Sequence, residues 1–500
     1  MKADLRLLLL PVLIWCAGLN ALMPDSDFIP EIYSKSSSSL LSGNPNYSPD
    51  FFQDSPPGLS HPFSSLDTFQ NSLKEAFSWG EPHSNLISYR HTPSAFKADV
   101  QFLAGYEHNF IEDQDYDFLY KGWQLQAAAG EKLRLFTHWY NGSYFGDLDA
   151  AETDCLADGY LKRFGKRIQL DNLNGYLSYG TQNYSLALGR GRFQISPAIS
   201  SSIILSDRVN DYSYLLAEGR AGAFKLSMLH GGLMADSTYS IYENGLLDSR
   251  NYPEKYIALH QLSYTPNPHW KLYLGESVVY GNRSLDLNYL LPNSFWRAVE
   301  HNLWDRDNVL IYAGLTHRPK PSMLLYATAA LDEFSYGRFF SNWWGNKYAL
   351  QGGISLSSPA NESTLELTAI RPYTYGHFQN HTMYSHDGRI LGYEQGANLL
   401  NLSLENSLKL KDYLDWTALI SFTYQGSEGA DWRLNYHEVF AGQIDDAQVK
   451  WFAGDLSRIY GVTNTLRFSL FAHHKILVGH RSIYDDEWDH RAFCAWQFIY

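Results

Sequence analysis

From Ala98 to its end the chain alternates apolar and polar residues with a period of two, the pattern of strands with one face toward an apolar phase. Leu400, Leu402, Leu404, Leu408 and Leu410 share one face, interrupted by Asn406, while Asn401, Ser403, Glu405, Ser407 and Lys409 share the other. Trp416, Ala418, Ile420, Phe422 and Tyr424 repeat the arrangement against Asp415, Thr417, Leu419, Ser421 and Thr423. About eighteen such segments can be drawn, beginning with 98–108 and 118–128 and ending with 413–424, 443–453, 462–475 and 489–500. An even tally returns both ends of the chain to one side, as closure of an up-and-down barrel requires.

A soluble sandwich shows the same alternation with its faces exchanged, so the connections have to discriminate. Short turns at Gly180–Asn183, Gly219–Gly222, Thr265–Pro268 and Ser358–Asn361 alternate with long polar stretches near 193–211, 281–307, 373–397, 425–442 and 476–488. Segregated loop lengths place the two ends of the strands in different compartments. The predicted fold is therefore all-β, a large antiparallel transmembrane barrel with short periplasmic turns and long extracellular loops. Its final strand, Asp489–Tyr500, pairs with 98–108 and turns Tyr500, Phe498 and Trp496 toward lipid or its lower boundary. One register conflicts with this picture. Glu276 has the parity of Trp270, Leu272 and Leu274, which aims it at lipid unless a bulge turns it inward or it stands above the membrane.

Composition sharpens the reading. The 500 residues are 15% aromatic, with 36 Tyr and 14 Trp, a load that interfacial girdles account for. Mean hydropathy is −0.32 and no internal run approaches a spanning helix, so any crossing must be made by strands. A net charge of −14 argues against nucleic acid as a partner. Lys2 and Arg6, the apolar run from Leu7 to Trp15 and the small Ala21 read as a signal peptide over 1–21. Trp15 before Cys16 is too bulky for lipidation. Residues 22–97 are Ser- and Pro-rich, a periplasmic segment with one short helix expected over Leu66–Trp79, and 98–500 form the barrel. The expected location is the outer membrane, with membrane lipid and the barrel-assembly machinery as partners and a monomer as the working form.

Little here suggests catalysis. Gly189-Arg190-Gly191-Arg192 and His230-Gly231-Gly232 lack the strand–turn–helix context of a nucleotide loop. His377, His381 and His386 do not have zinc-site spacing, and Asp485, Asp486, Glu487 and Asp489 read as a solvated acidic loop rather than a calcium site. No metal or cofactor is expected. Carboxylates for glycoside cleavage can be drawn from Glu276, Glu300, Asp305 and Asp307, although sequence cannot give their separation. The denser signal is aromatic and hydrogen-bonding. Tyr280, Tyr289, Trp296, Trp304, Trp343 and Trp344 lie among Asn293, Arg297, His301 and Asn302, and a second group holds Arg371, Tyr373, Tyr375, His377, Tyr384, His386 and Arg389. Ring faces beside amides, carboxylates and guanidinium groups suit a sugar, although girdle aromatics and lumen-filling polar networks give the same composition.

The order LGRGRFQISP, FKLSMLHGGL, WKLYLGESVVYGNRSLDLNYLLP and RPYTYGHFQNHTMYSHDGRILGY, from Leu188 to Tyr424, resembles the Wzi capsule-assembly family. At the family's tryptophan-rich patch this chain has Gln194-Ile195-Ser196-Pro197. The resemblance implies an eighteen-stranded outer-membrane lectin, without enzymatic activity, that helps attach capsular or exopolysaccharide to the cell surface. It makes Glu276, Tyr280, Tyr289, Glu300, Arg371, Tyr373, Tyr375, His377, Tyr384 and His386 candidate polysaccharide-binding residues. A diffusion channel for small solutes is the alternative, and a barrel-embedded hydrolase a more distant one. Planar-bilayer conductance separates pore from lectin.

Overall fold

The computed structural model describes residues 87–499 apart from 92–94, 112–113, 131, 153–160, 182, 236–238, 244–245, 252, 340, 441–445 and 472–473. The expected signal peptide and the expected helix at Leu66–Trp79 lie outside the described residues, as do Cys155 and Tyr500.

Eighteen antiparallel strands form one closed barrel. They are β1 (Phe96–Ile111), β2 (Gln114–Ala129), β3 (Leu133–Gly146), β4 (Arg167–Gly180), β5 (Tyr184–Gly191) and β6 (Tyr212–Ala221). Then come β7 (Phe224–Met234), β8 (Glu254–Asn267), β9 (Trp270–Gly281), β10 (Asn308–Lys320), β11 (Met323–Glu333) and β12 (Lys347–Ser357). The circuit ends with β13 (Asn361–Ile370), β14 (Leu399–Lys411), β15 (Leu414–Gly426), β16 (Leu456–Phe471), β17 (His474–Asp485) and β18 (Glu487–Ile499). Strand β18 closes on β1 from Leu103↔Ile499 to Ile111↔Arg491. Below that seam, the short strand Ile87–His91 takes up the same edge of β1, from Ile87↔Val100 to His91↔Phe96.

The period-two pattern becomes an outside and an inside. Leu186, Leu188, Leu272, Leu274, Leu367, Leu402 and Trp496 face outward and are exposed, whereas Gln124, His138, Asn174, Gln261, Thr364 and Asn401 face inward and are buried. Leucine on an outer face is stable only against lipid, since water would make a belt of that size aggregate. At the short-turn end aromatic rings pair around the rim. Phe224 lies 4.7 Å from Tyr264, Trp270 stacks on His317 at 3.8 Å, and Trp496 stacks on His474 at 5.8 Å.

Two expectations about individual strands fail, and they cancel in the total. Within the predicted strand 443–453 the described residues 446–453 make no ladder, and Gln448 forms only an isolated bridge to Trp343. Val449 there is buried against the loops of the mouth, so packing overrides its strand-like composition. Conversely 476–485, read as part of an outer loop, belongs to β17, which pairs with both neighbours. His480 and Ser482 on its outward face and Arg481 on its inward face blur the alternation that identifies the other strands. The acidic run around Asp486 is accordingly a tight hairpin. The loop alternation also breaks at the seam, where β1–β2 and β17–β18 join by tight hairpins at the end that elsewhere carries the long loops.

Candidate functional site

The long loop between β5 and β6, residues 192–211, does not stand above the barrel. Phe193, Ile195, Ile203, Ile204, Leu205 and Val209 are all buried in the main core cluster. The Ile195 N–H donates to the Leu205 carbonyl at 2.9 Å and pinches the loop into a finger. Its tip reaches β12 and β13, seven strands further round a circuit of eighteen and therefore on the opposite wall. There the Glu366 carboxylate accepts from the Ile199 N–H at 3.1 Å and from the Ser200 hydroxyl at 2.6 Å, while Tyr326 donates to it at 2.6 Å. Gln351 donates to the Ser201 carbonyl at 2.7 Å. A carboxylate buried in the lumen is tolerated because donors surround it.

The loop between β13 and β14, residues 371–398, locks this finger from above. Tyr373 (φ 63°) and Tyr375 (φ 76°) are both left-handed, so Arg371-Pro372-Tyr373-Thr374-Tyr375 turns off the wall into the lumen. The Tyr375 hydroxyl donates to the Ile203 carbonyl at 2.8 Å, and that of Tyr384 lies 2.8 Å from the Ile204 carbonyl and 2.9 Å from Ser277 Oγ on the wall. The Ser206 N–H donates to the Leu391 carbonyl at 2.7 Å. Arg371 is spent on backbone, donating to the carbonyls of Asn346, Trp343 and Val449. Asn398 (φ 55°) donates to the carbonyls of Gly426, Glu428 and Ala453 and accepts from the Phe452 N–H, tying in the loop 427–455.

His386 pins this loop to the end of β7. The Met234 N–H donates to its Nδ1 at 2.9 Å, which fixes that nitrogen as unprotonated, and the Asp387 N–H returns a bond to the Met234 carbonyl. Burial, aided by the Lys255 cation, pushes His386 down to about 4, offset only in part by Asp387 and a backbone bond to Asp211. His377 is lowered for the same first reason, burial, with Lys347 adding to it. The unfolded chain therefore binds these protons first as pH falls. The docking contributes fully above pH ~6.5 and loses on the order of 3 kcal/mol at His386 between there and about pH 4. Amide exchange in 383–391 should accelerate across that window in the wild type and stay flat in His386→Gln. Equal slopes in both would assign the acid response to another group.

Above the plug an aromatic rim forms. Trp344 lies 4.8 Å from Tyr436 and 4.9 Å from Phe440, Tyr373 lies 5.0 Å from Phe440, and Phe378 stacks on His437 at 4.8 Å. Lys347 stands beneath, 4.1 Å from the centre of the Tyr436 ring and paired with Glu333 at 2.9 Å. Trp343, Phe378 and Phe440 are half-buried, and the exposed Arg338 and His437 lie against Trp343 and Phe378. This is a surface of ring faces with hydrogen-bonding groups at its edge.

The ten sequence candidates thus fall on two sides of the wall. Arg371, Tyr373, Tyr375, His377, Tyr384 and His386 belong to the plug and the underside of the rim, and all are buried. Glu276, Tyr280, Tyr289 and Glu300 are outside. No bulge interrupts β9 from Leu272 to Gly281, so Glu276 does face outward, yet it is only 5% exposed because the loop 282–307 folds down over it. Its carboxylate accepts from the N–H groups of Trp296 and Arg297, at 2.9 and 3.1 Å, and so caps the helix Trp296–Asn302, whose own cap residue Phe295 has no side-chain acceptor. Tyr289 donates to Asp307 at 2.7 Å, and Arg297 bonds both Glu300 and Asp305. Glu300, His301 and Asp305 bring ligand-type atoms within 4.8 Å of one another, but Arg297 already compensates the two carboxylates. Glu366, Gln351 and Asn398, which organise the plug, were not singled out in the sequence. Ile203-Ile204-Leu205 inside a nominally polar loop was the available signal.

The fold is that of an outer-membrane β-barrel. Among solved structures it is similar to Wzi of Escherichia coli, described as an outer-membrane protein involved in group 1 capsule assembly and a carbohydrate-binding β-barrel, with a TM-score of 0.51, 12% identity, and 80% of this chain and 84% of that one covered. It is also similar to Pseudomonas aeruginosa OccK11 (TM-score 0.45, 8% identity, 85% and 100% covered) and Acinetobacter baumannii OccAB4 (TM-score 0.45, 9% identity, 81% and 98% covered). No protein-family model and no curated protein sequence matches the chain. The resemblance to Wzi is one of fold.

Proposed function

We propose that this barrel is a plugged, non-enzymatic receptor that holds surface polysaccharide at its outer mouth. The observation that carries the reading is the finger 192–211, bonded to the far wall at Glu366 and locked by 371–398. A diffusion channel needs a continuous aqueous lumen, and a finger spanning wall to wall opposes one. The rim supplies what a sugar polymer needs, with Trp343, Phe378 and Phe440 for C–H faces and Arg338 and His437 for hydroxyls and carboxylates. The carbohydrate binding ascribed to Wzi, a barrel of similar fold, favours the same assignment. In this reading the six plug candidates position the rim rather than touch the glycan.

Two measurements test it. The purified barrel in a planar bilayer should give no steady open-channel current, whereas stepwise conductance would favour the pore. Trp343→Ala with Phe378→Ala should weaken binding to the producing cell's extracellular polysaccharide about 10-fold, ~1.4 kcal/mol, with unchanged heat stability. A wild-type barrel that binds no extracellular glycan would end the proposal.

A further inference from the structure

The loop 282–307 lies against the outer faces of β8, β9 and β10. Tyr289 and Trp296 pack on the outward-facing Ala258, Val278, Tyr280 and Val309. Arg283 and Asp307, near the two ends of the loop, form a bidentate pair at 2.8 and 2.6 Å that closes it into a flap. Trp296 stacks on His260 at 3.9 Å, and His260 lies 2.9 Å from Glu276.

The height of this contact decides its surroundings. Trp270 belongs to the ring of aromatics at the short-turn end, and Glu276 is six residues further along the same strand. With ~3.3 Å per residue and a tilt of ~40°, Glu276 stands ~15 Å above that ring, inside an apolar band ~25 Å tall. The flap's lower half is therefore at membrane level. Its outward side matches. Leu287 (69% exposed), Leu291 (50%) and Phe295 (58%) continue the belt formed directly below by Leu262, Leu272 and Leu274.

We infer that this flap is a lipid-contacting element, its Leu287, Leu291 and Phe295 immersed among the acyl chains of the outer leaflet, where it replaces the strand surface it covers. The device solves a local problem. His260 and Glu276 point toward lipid, where bare polar groups are costly, and the flap meets them with backbone N–H groups and an indole ring while presenting leucine outward. The occupant is lipid rather than a second copy because the start of the flap's helix sits on Glu276, two residues along the same strand face from the lipid-facing Leu274.

The test uses nitroxide labels on the full-length barrel in liposomes, with Cys16→Ser, Cys155→Ser and Cys494→Ser as background. Labels at Leu291→Cys and Phe295→Cys should be several times more accessible to oxygen than to a water-soluble nickel chelate, as at Leu274→Cys and opposite to Tyr336→Cys on the mouth. A chelate-dominated result at 291 and 295 would make the flap an aqueous appendage, and low access to both reagents would mean protein covers it. Either would overturn the inference, and neither bears on glycan binding.

Discussion

Glu366→Ala opens the barrel. In the wild type this one carboxylate holds the tip of the finger through Ile199 and Ser200 and is itself held by Tyr326. Removing it leaves four donors, the N–H groups of Ile199 and Ser200 and the hydroxyls of Ser200 and Tyr326, without their acceptor inside the lumen, each costing about 1–3 kcal/mol when buried. Little else bonds the tip to that wall except Gln351, which donates to the Ser201 carbonyl. The barrel itself should survive, since no inter-strand backbone bond is touched. The expected result is steady current in planar bilayers from Glu366→Ala with Gln351→Ala and none from the wild type. Faster amide exchange confined to 196–206 should accompany it, with the gel mobility of the folded barrel retained. If the double variant stays silent and its finger stays protected, the lock from 371–398 alone seals the lumen and the weight given to the wall anchor is wrong.

The second large effect lies outside the barrel. Trp296→Ala removes a fully buried indole from between His260, Tyr289 and the wall, a change that costs about 3–5 kcal/mol in well-packed sites. Glu276→Ala should cost less, about 1–2 kcal/mol, because it takes away a helix cap but leaves the packing. The larger loss falls on assembly, because without the flap two polar wall residues meet acyl chains. The unheated, fast-migrating form should drop steeply for Trp296→Ala and modestly for Glu276→Ala. The double variant should fall short of the sum, since cap and ring serve one contact. Full additivity would mean that the helix and the wall residues act independently.

Much of the fold was legible because an outer-membrane strand writes its environment into every second residue. Leu400 to Leu410 and Trp416 to Tyr424 face outward as their parity demands. Strand β17 was not legible, because histidine, serine and arginine occupy its faces where leucine marks the others. The site was harder. Sequence groups residues by type and proximity along the chain, so Tyr280 and Tyr384, from two aromatic groups, both stood as candidates for one polysaccharide site. Yet Tyr280 lies on the outer face of β9 under the flap, while Tyr384 touches Ser277 on the inner face of that strand. A wall one residue thick separates them. Parity had already marked Glu276 as outward, and the missing step was that a loop can fold down the outside to receive it.

The finger's reach also dictates an order of events. Ile199 and Glu366 are 167 residues apart in the chain, and they come within bonding distance only after the sheet between them has curled through nearly half a circle. So long-range a contact is among the last to be gained, since its closing entropy falls only once the intervening strands are in place. On this order the inserting barrel is expected to pass through a stage in which the cylinder has closed while the serine-rich finger is still in water. Docking of the finger would then come last, and a barrel stalled before it is expected to conduct ions.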